Sequence, residues 1–217
     1  MPAMILAAGR GERLRPITDS CPKPLVTVRG QSLLERHLYR LADAGIKRAV
    51  VNLGWLGEQI AERVSSGERY GVRVSYSPEN DGILDTGGGI RRALPMLGAD
   101  PFWVLNGDIY TDFPLRPPQL DDGLLGHLVL VPRPAHRPVG DFDLVDGKVR
   151  NGSDPAYTYA GIAIYRPEIV AAEPVEAFSI VPFLRAAADD GRLSGEIYRG
   201  AWEDVGTPER LAGLNAG

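Results

Sequence analysis

The first half of the chain alternates between two apolar periods. AMILAA (3–8), RAVVNLG (48–54), VRVSYSPE (72–79) and PFWVLNGD (101–108) are short apolar or β-branched runs of strand length. Between them, SLLERHLYRLADAG (32–45) carries Leu33, Leu34, Leu38 and Leu41 at helical spacing and stops at Gly45, and WLGEQIAERVSSG (55–67) repeats the amphipathic pattern. TGGGIRRALPML (86–97) reads as a glycine-rich start to a further helix. Strands alternating with helices predict parallel pairing through right-handed crossovers, hence an α/β, doubly wound sheet. In such a sheet ligands gather beyond the carboxyl ends of the strands. AAGRGER (7–13), YSPENDGILDTGGG (76–89) and LNGD (105–108) all fall at that edge.

The pattern changes in the second half. HLVLVP (127–132), FDLVDGKVR (142–150) and TYAGIAIY (158–165) read as strands, with Asp146–Gly147 as a hairpin tip. AFSIVPFLRAAADDG (177–191) returns to helical spacing, and GEIYRGAWEDVGT (195–207) precedes a short terminal helix. Neither an internal repeat nor a low-complexity linker is present in the sequence. One domain is expected over 1–217. The proline-rich stretches PLRPPQLDDG (114–123) and VPRPAHRPVGD (131–141) are expected to be mobile or to touch substrate.

Composition narrows the classes. Lys and Arg number 24 against 28 Asp and Glu, a net charge of −4, and the cations cluster locally, which argues against nucleic acid as the partner. Cys21 is the only cysteine, so an internal disulfide and a cysteine-built zinc site are both excluded, and it reads as a small loop residue. The opening apolar run is too short for a signal-peptide core or a membrane span. A cytoplasmic protein without membrane contact is the expectation.

The candidate chemistry begins after the first strand. Gly9 and Gly11 let the backbone approach a ligand, and Arg13, Arg15 and Lys23 beside them call for an anion. Leu14 stands where a dinucleotide fold would have its third glycine, and no glycine precedes a Lys-Ser or Lys-Thr pair, so neither nucleotide fingerprint applies. By itself the glycine pair is equally a plain tight turn. Arg13 tips the balance toward a polyphosphate, and Lys23, held between Pro22 and Pro24, is restricted in where its ammonium points.

The run L-A-A-G-R-G-E-R-L-R-P (6–16) with P-K-P (22–24) resembles the signature of the sugar-1-phosphate nucleotidyltransferases. D-T-G-G-G (85–89), N-G-D (106–108) and W-E-D-V-G-T (202–207) follow in the order expected of that family. Y-S-P-E, T-G-G-G, G-D-F, Y-R-G and W-x-D-V-G-T most resemble its short uridylyltransferases of cell-wall recycling. The resemblance implies a Rossmann-like, mixed, mostly parallel sheet flanked by helices, with a nucleotide-binding half at about 1–110 and a sugar-binding half at about 111–217. It also implies a nucleoside triphosphate, UTP favoured, and a sugar 1-phosphate, N-acetylmuramate 1-phosphate favoured, as the partners. Mannose 1-phosphate with GTP, or glucose 1-phosphate with UTP or dTTP, stay open, as do a choline-phosphate cytidylyltransferase and a catalytically silent binding module. Monomer or weak homodimer is expected, because the usual assembly domain is missing.

The same resemblance assigns roles. Leu6, Ala8, Gly9, Gly11, Glu12, Arg13 and Lys23 would hold the nucleotide, with Arg13 and Lys23 catalytic, and Glu79, Gly87 and Gly88 would meet the base through backbone groups. Asp85 stands where glutamate is expected in the most similar members. Asn106, Asp141 and Gly161 would contact the sugar, and Asp108 and Asp204 would hold Mg²⁺, a hard ion that prefers carboxylate and phosphate oxygens. Turn, cap and packing roles compete at Asn106, Gly161 and both aspartates. Arg133, His136 and Arg137 are cations available to a sugar carboxylate. Trp55 and Trp103 read as core aromatics, His127 as a strand residue, and Trp202 as packing behind Asp204.

Overall fold

A computed structural model describes residues 1–80, 82–116 and 120–216. The first half contains β1 (Ala3–Leu6), α1 (Ile17–Ser20), β2 (Thr27–Val28), β3 (Gln31–Ser32), α2 (Leu33–Asp43), β4 (Arg48–Leu53), α3 (Gly57–Val64), β5 (Arg73–Pro78), α4 (Asp85–Leu97) and β6 (Phe102–Asn106). Then come β7 (Ile109–Thr111), β8 (Gly126–Pro132), β9 (Asp143–Val145), β10 (Lys148–Arg150), β11 (Tyr157–Tyr165), α5 (Val181–Asp189), β12 (Leu193–Ile197), β13 (Trp202–Asp204) and α6 (Pro208–Ala216). Part of the proline-rich stretch at 114–123 lies outside the described residues.

A nine-stranded sheet runs in the order β5-β4-β1-β6-β11-β8-β12-β10-β9. Strands β5, β4, β1 and β6 are mutually parallel, as the alternating pattern predicts. Strand β11 is antiparallel to both β6 and β8, and β12 lies parallel to β8. The sheet is therefore mixed and mostly parallel in its first half. Asp146 and Gly147 both adopt positive φ, 50° and 74°, the backbone that a two-residue turn between β9 and β10 requires.

Successive side chains on a strand point to opposite faces, so β1 serves two cores. Ala3 and Ile5 join Leu34, Leu38, Leu41, Ile60 and Val64 beneath α2 and α3. Met4 joins Val50, Ile90, Ala93, Phe102 and Leu184 beneath α4 and α5. Burial of these aliphatic side chains contributes roughly 1.5–3 kcal/mol each. Helix α2 is started by a reciprocal cap in which Ser32 Oγ accepts from the Glu35 N–H at 3.3 Å while Glu35 reaches back to Ser32.

Covering both faces leaves the strand ends as the place where loops converge. The three unusual stretches follow β1, β5 and β6 at their carboxyl ends, on one edge of the parallel half. A two-stranded antiparallel ribbon, β7 with β13, brings the 202–207 segment to the same edge. Among the described residues no helix is long and apolar enough to cross a membrane.

Candidate active site

A cleft of about 440 Å³ opens at that edge, lined in part by Leu6, Ala8, Gly9, Lys23, Glu79, Asn106 and Asp108. Its floor is held by a buried polar chain. The Ala7 N–H donates to Asn52 Oδ1 at 2.6 Å, Asn52 Nδ2 donates to Glu79 Oε1 at 2.7 Å, and the Leu84 N–H donates to Glu79 Oε2 at 2.7 Å. The carboxyl end of β4 is thereby tied to the loops leaving β1 and β5, and both oxygens of the buried Glu79 are satisfied, as burial demands. Asn52 escaped the sequence reading. Its signal was present, a polar residue inside an otherwise apolar strand run.

Gly11 takes the left-handed conformation, φ 65°, and its carbonyl accepts from Thr18 Oγ1 at 2.9 Å and from the Leu14 N–H at 2.9 Å. Trp55 corrects an expectation, because it is only partly buried and belongs to no core cluster. Its Nε1 donates to the Thr18 carbonyl at 2.9 Å and Arg10 lies over its ring at 5.6 Å, so the indole braces the glycine loop. Trp103 is buried as expected.

Lys23 and Asp108 meet at the cleft, with Nζ 2.5 Å from Oδ2. The Asp108 carbonyl accepts from the Val205 N–H at 2.9 Å, and Asp204 pairs with Ile109 across the ribbon. Two acids distant in sequence are thus carried to one place by main-chain pairing. Asp204 sits among basic side chains: Arg210 contacts Oδ1, His136 Nε2 is 3.8 Å from the same oxygen, and Arg137 Nη2 is 3.7 Å from Oδ2. Glu203 adds a buried Oε1 with no hydrogen-bond partner among the described residues, and burial, then the Asp204 charge, pushes its carboxyl above the usual range. Ligand atoms of His136, Glu203 and Asp204 lie within 4.8 Å of one another, two carboxylates and an imidazole of the kind a divalent cation takes, with Arg210 Nε 3.6 Å from the same Glu203 oxygen. Arg13 flanks this segment, its Nη2 lying 3.6 Å from where a Gly206 side chain would begin.

The sugar-side candidates cluster behind Asn106. A second cavity of about 170 Å³ shares Leu6, Asp85, Thr86 and Asn106 with the cleft and continues to Tyr159 and Tyr165. The two tyrosine hydroxyls are 3.1 Å apart, and burial raises both above the usual phenol range. Gly161 lies at the irregularity of β11 with φ 71°, and a Cβ there would fall 2.7 Å from Asn106 Nδ2. Asp141 accepts from the Tyr159 N–H at 2.9 Å and from Arg137 at 3.3 Å, so Arg137 bridges Asp141 and Asp204.

Gly11, Glu12, Arg13, Asp141, Gly161 and Asp204 are not among the residues that line the cleft. Gly87 and Gly88 turn away from it. Both N–H groups donate to the Phe178 carbonyl, at 2.9 and 3.1 Å, and a Cβ on Gly88 would fall 2.0 Å from the Glu176 carbonyl oxygen. The glycine run lets the 176–178 segment close on α4, leaving Asp85 and Thr86 as the residues at that helix start that face the cleft. Asp85 is itself left-handed, φ 58°. Tyr159, Tyr165 and Thr86 carried no sequence signal, since only the fold brings them to one cavity.

A parallel α/β sheet with a phosphate-type glycine loop, a lysine and paired carboxylates at the strand ends defines a nucleotide-handling enzyme. The sequence profile described as Nucleotidyl transferase matches residues 2–119, and the chain belongs to this family of enzymes. It is 47% identical over 97% of its length, and 95% of the relative's, to N-acetylmuramate alpha-1-phosphate uridylyltransferase of Neisseria meningitidis serogroup B. The protein of the same name from Caulobacter vibrioides is 34% identical, over 95% of this chain and 92% of the relative. A crystal structure from Bacillus anthracis, in complex with sucrose, shares the fold with a TM-score of 0.87 at 22% identity, over 100% of this chain and 94% of that one.

Proposed function

We propose that the protein is a sugar-1-phosphate nucleotidyltransferase that joins UTP to N-acetylmuramate 1-phosphate, releasing pyrophosphate, and so returns a cell-wall sugar to use. The observation carrying this reading is the Lys23–Asp108 pair, with Asp204 on the adjoining strand, at the mouth of a cleft floored by the glycine loop. The relatives' names supply the uridylyl group and the sugar.

Two polyanions repel each other, so their encounter needs fixed positive charge. The Gly9 amide region receives the triphosphate, and Lys23 stands where the α-phosphate and the incoming phosphate meet. An oxygen of the sugar phosphate forms the new bond to the α-phosphorus while the bond to the bridging oxygen of pyrophosphate breaks. No protein nucleophile takes part. Arg13, beside the Asp204 segment, neutralises the departing charge, where charge spread in the transition state makes such contacts most effective. Asp108 and Asp204 are the residues that would hold Mg²⁺, which when bound supplies neutralisation of phosphate oxygens. Glu79, braced by Asn52, bounds the base side, and Asn106 with Asp141 and Gly161 bounds the sugar side. Arg137 is the cation placed for the sugar's carboxylate.

The test is pyrophosphate release from a matrix of UTP, GTP, dTTP and CTP against N-acetylmuramate, N-acetylglucosamine, mannose and glucose 1-phosphates and phosphocholine. UTP with N-acetylmuramate 1-phosphate should have the highest kcat/KM. Asp108→Asn should lower turnover by at least about a hundredfold in saturating Mg²⁺. Near-normal turnover in that variant would remove the metal assignment, and a different best pair would remove the substrate assignment.

A further inference from the structure

The loop that joins β8 to β9 meets the Asp204 segment through basic side chains, and one of them, Arg137, is held between two acids. Its Nη1 donates to Asp141 Oδ2 at 3.3 Å, and its Nη2 lies 3.7 Å from Asp204 Oδ2. Asp141 is fixed against β11. The same Oδ2 accepts from the Tyr159 N–H at 2.9 Å, and the Asp141 N–H donates to the Tyr157 carbonyl at 2.7 Å. Asp204 is fixed in the ribbon by its pairing with Ile109.

The two arginines on Asp204 are not equivalent. Arg210 of α6 contacts Oδ1, reaches the Asp204 carbonyl at 3.3 Å and sets its Nε 3.6 Å from Glu203 Oε1, with 19% of its side chain exposed. Arg137 meets that segment at Oδ2 alone among the described residues, and is 35% exposed. A divalent cation on the Asp204 carboxylate uses the same oxygen lone pairs, and a guanidinium facing them repels it. Of the two arginines, Arg137 is the one able to yield, since it gives up one long contact and keeps Asp141.

We propose that Arg137 competes with a divalent cation for Asp204 and, once displaced, offers its freed edge to the anionic sugar substrate, so that metal and sugar phosphate bind cooperatively through this one side chain. The inference rests on reading Asp204 as a metal ligand and Arg137 as the cation for the sugar's carboxylate. Linkage makes the coupling reciprocal: sugar that engages Arg137 strengthens metal binding by the factor with which metal strengthens sugar binding.

The test uses the whole chain, Mn²⁺ as a paramagnetic probe counted by electron paramagnetic resonance, and N-acetylmuramate 1-phosphate binding by calorimetry, without nucleotide so that nothing turns over. Thermal midpoints accompany R137Q, R137M, R133Q and D204N. In the absence of sugar, R137Q should bind Mn²⁺ at least about fivefold more tightly than wild type, the opposite of what losing a structural support would do. R133Q removes the same charge from the same loop, but Arg133 is paired with Asp154 at 2.6 Å, so its Mn²⁺ affinity should stay within about twofold. Saturating Mn²⁺ should raise the affinity for the sugar phosphate by a factor at least about fivefold larger in wild type than in R137Q. Any direct contact of metal with phosphate is common to both and cancels in that ratio.

Wild-type or weaker Mn²⁺ binding in folded R137Q overturns the proposal, as do equal gains in R137Q and R133Q, or an equal metal-dependent gain in sugar-phosphate affinity with and without Arg137. R137M removes the same charge and answers the same question should R137Q not fold. D204N separates the layers: if it leaves Mn²⁺ binding intact, the metal reading itself has failed, whereas weakened binding there with no gain in R137Q removes the Arg137 coupling alone. A wild-type protein that takes up no sugar phosphate at saturating Mn²⁺ has lost the substrate reading.

Discussion

Gly9 and Gly11 stand two residues apart in one loop, yet alanine at each should have opposite consequences. Gly11 has φ 65°, where a Cβ costs about 1–2 kcal/mol, and that Cβ would lie 2.9 Å from Thr18 Cγ2 and 3.1 Å from Lys23 Cβ. Thr18 is 1% exposed and its hydroxyl is already committed to the Gly11 carbonyl, so it has little room to move. A total near 2–3 kcal/mol follows, or a fall in Tm of about 5–10 °C for a chain of this size. Gly9 is outside the left-handed region and has no atom within 4 Å of its would-be Cβ. Alanine there should leave Tm unchanged, or raise it slightly by restricting the unfolded chain. Gly9 nevertheless lines the cleft, so the methyl would occupy space meant for the triphosphate. Losing one charge-assisted hydrogen bond of about 1.5–3 kcal/mol raises the KM for UTP by about ten- to a hundredfold. Differential scanning fluorimetry and pyrophosphate-release kinetics on the two variants provide the comparison. A Gly9→Ala enzyme with unchanged Tm and unchanged KM for UTP would refute the phosphate-cradle reasoning.

Gly161→Ala would press on three atoms of Asn106, all within 2.9 Å. It should raise the KM for the sugar phosphate more than that for UTP, and a larger effect on UTP would show that Asn106 serves the other substrate. Arg137→Glu reverses the charge that bridges Asp141 and Asp204, and should penalise N-acetylmuramate 1-phosphate more than N-acetylglucosamine 1-phosphate; equal losses on the two sugars would count against carboxylate recognition. Glu35 offers a stability test away from the cleft. Burial acts to raise its pKa, but hydrogen bonds from Ser32, Arg63 and Tyr70 outweigh this and bring it down to about 2 from 4.5. A depressed carboxylate stabilises the fold above about pH 4.5 and loses that contribution as pH falls toward 2. Discounting for the exposed Arg63, Glu35→Gln should cost roughly 2 kcal/mol in urea unfolding at pH 7 and less at pH 3; a pH-independent difference would contradict the assignment.

Particular elements show how far local pattern reaches. The period of Leu33, Leu34, Leu38 and Leu41 located α2 and its buried face, and Asp146–Gly147 announced its hairpin, because both depend on residues a few positions apart. The three unusual stretches were placed at one sheet edge by the strand–helix alternation alone. Trp55 was misread because an indole's composition does not say whether it meets a core or a loop. The TGGG run was legible as a helix start, but its obligate smallness came from Phe178 and Glu176, far along the chain.

What the sequence by itself determined is therefore the inventory: the parallel half-sheet, the glycine loop after its first strand, the stiff lysine, and the acids at the strand ends. Tertiary structure alone decided the partners. Asn52 with Glu79, Lys23 with Asp108, Asp204 paired with Ile109 and Arg137 between two acids are all set by strand order and register. Periodicity is a property of neighbours along the chain, whereas a site is built from groups that meet only after long loops have closed and buried polar atoms have found one another.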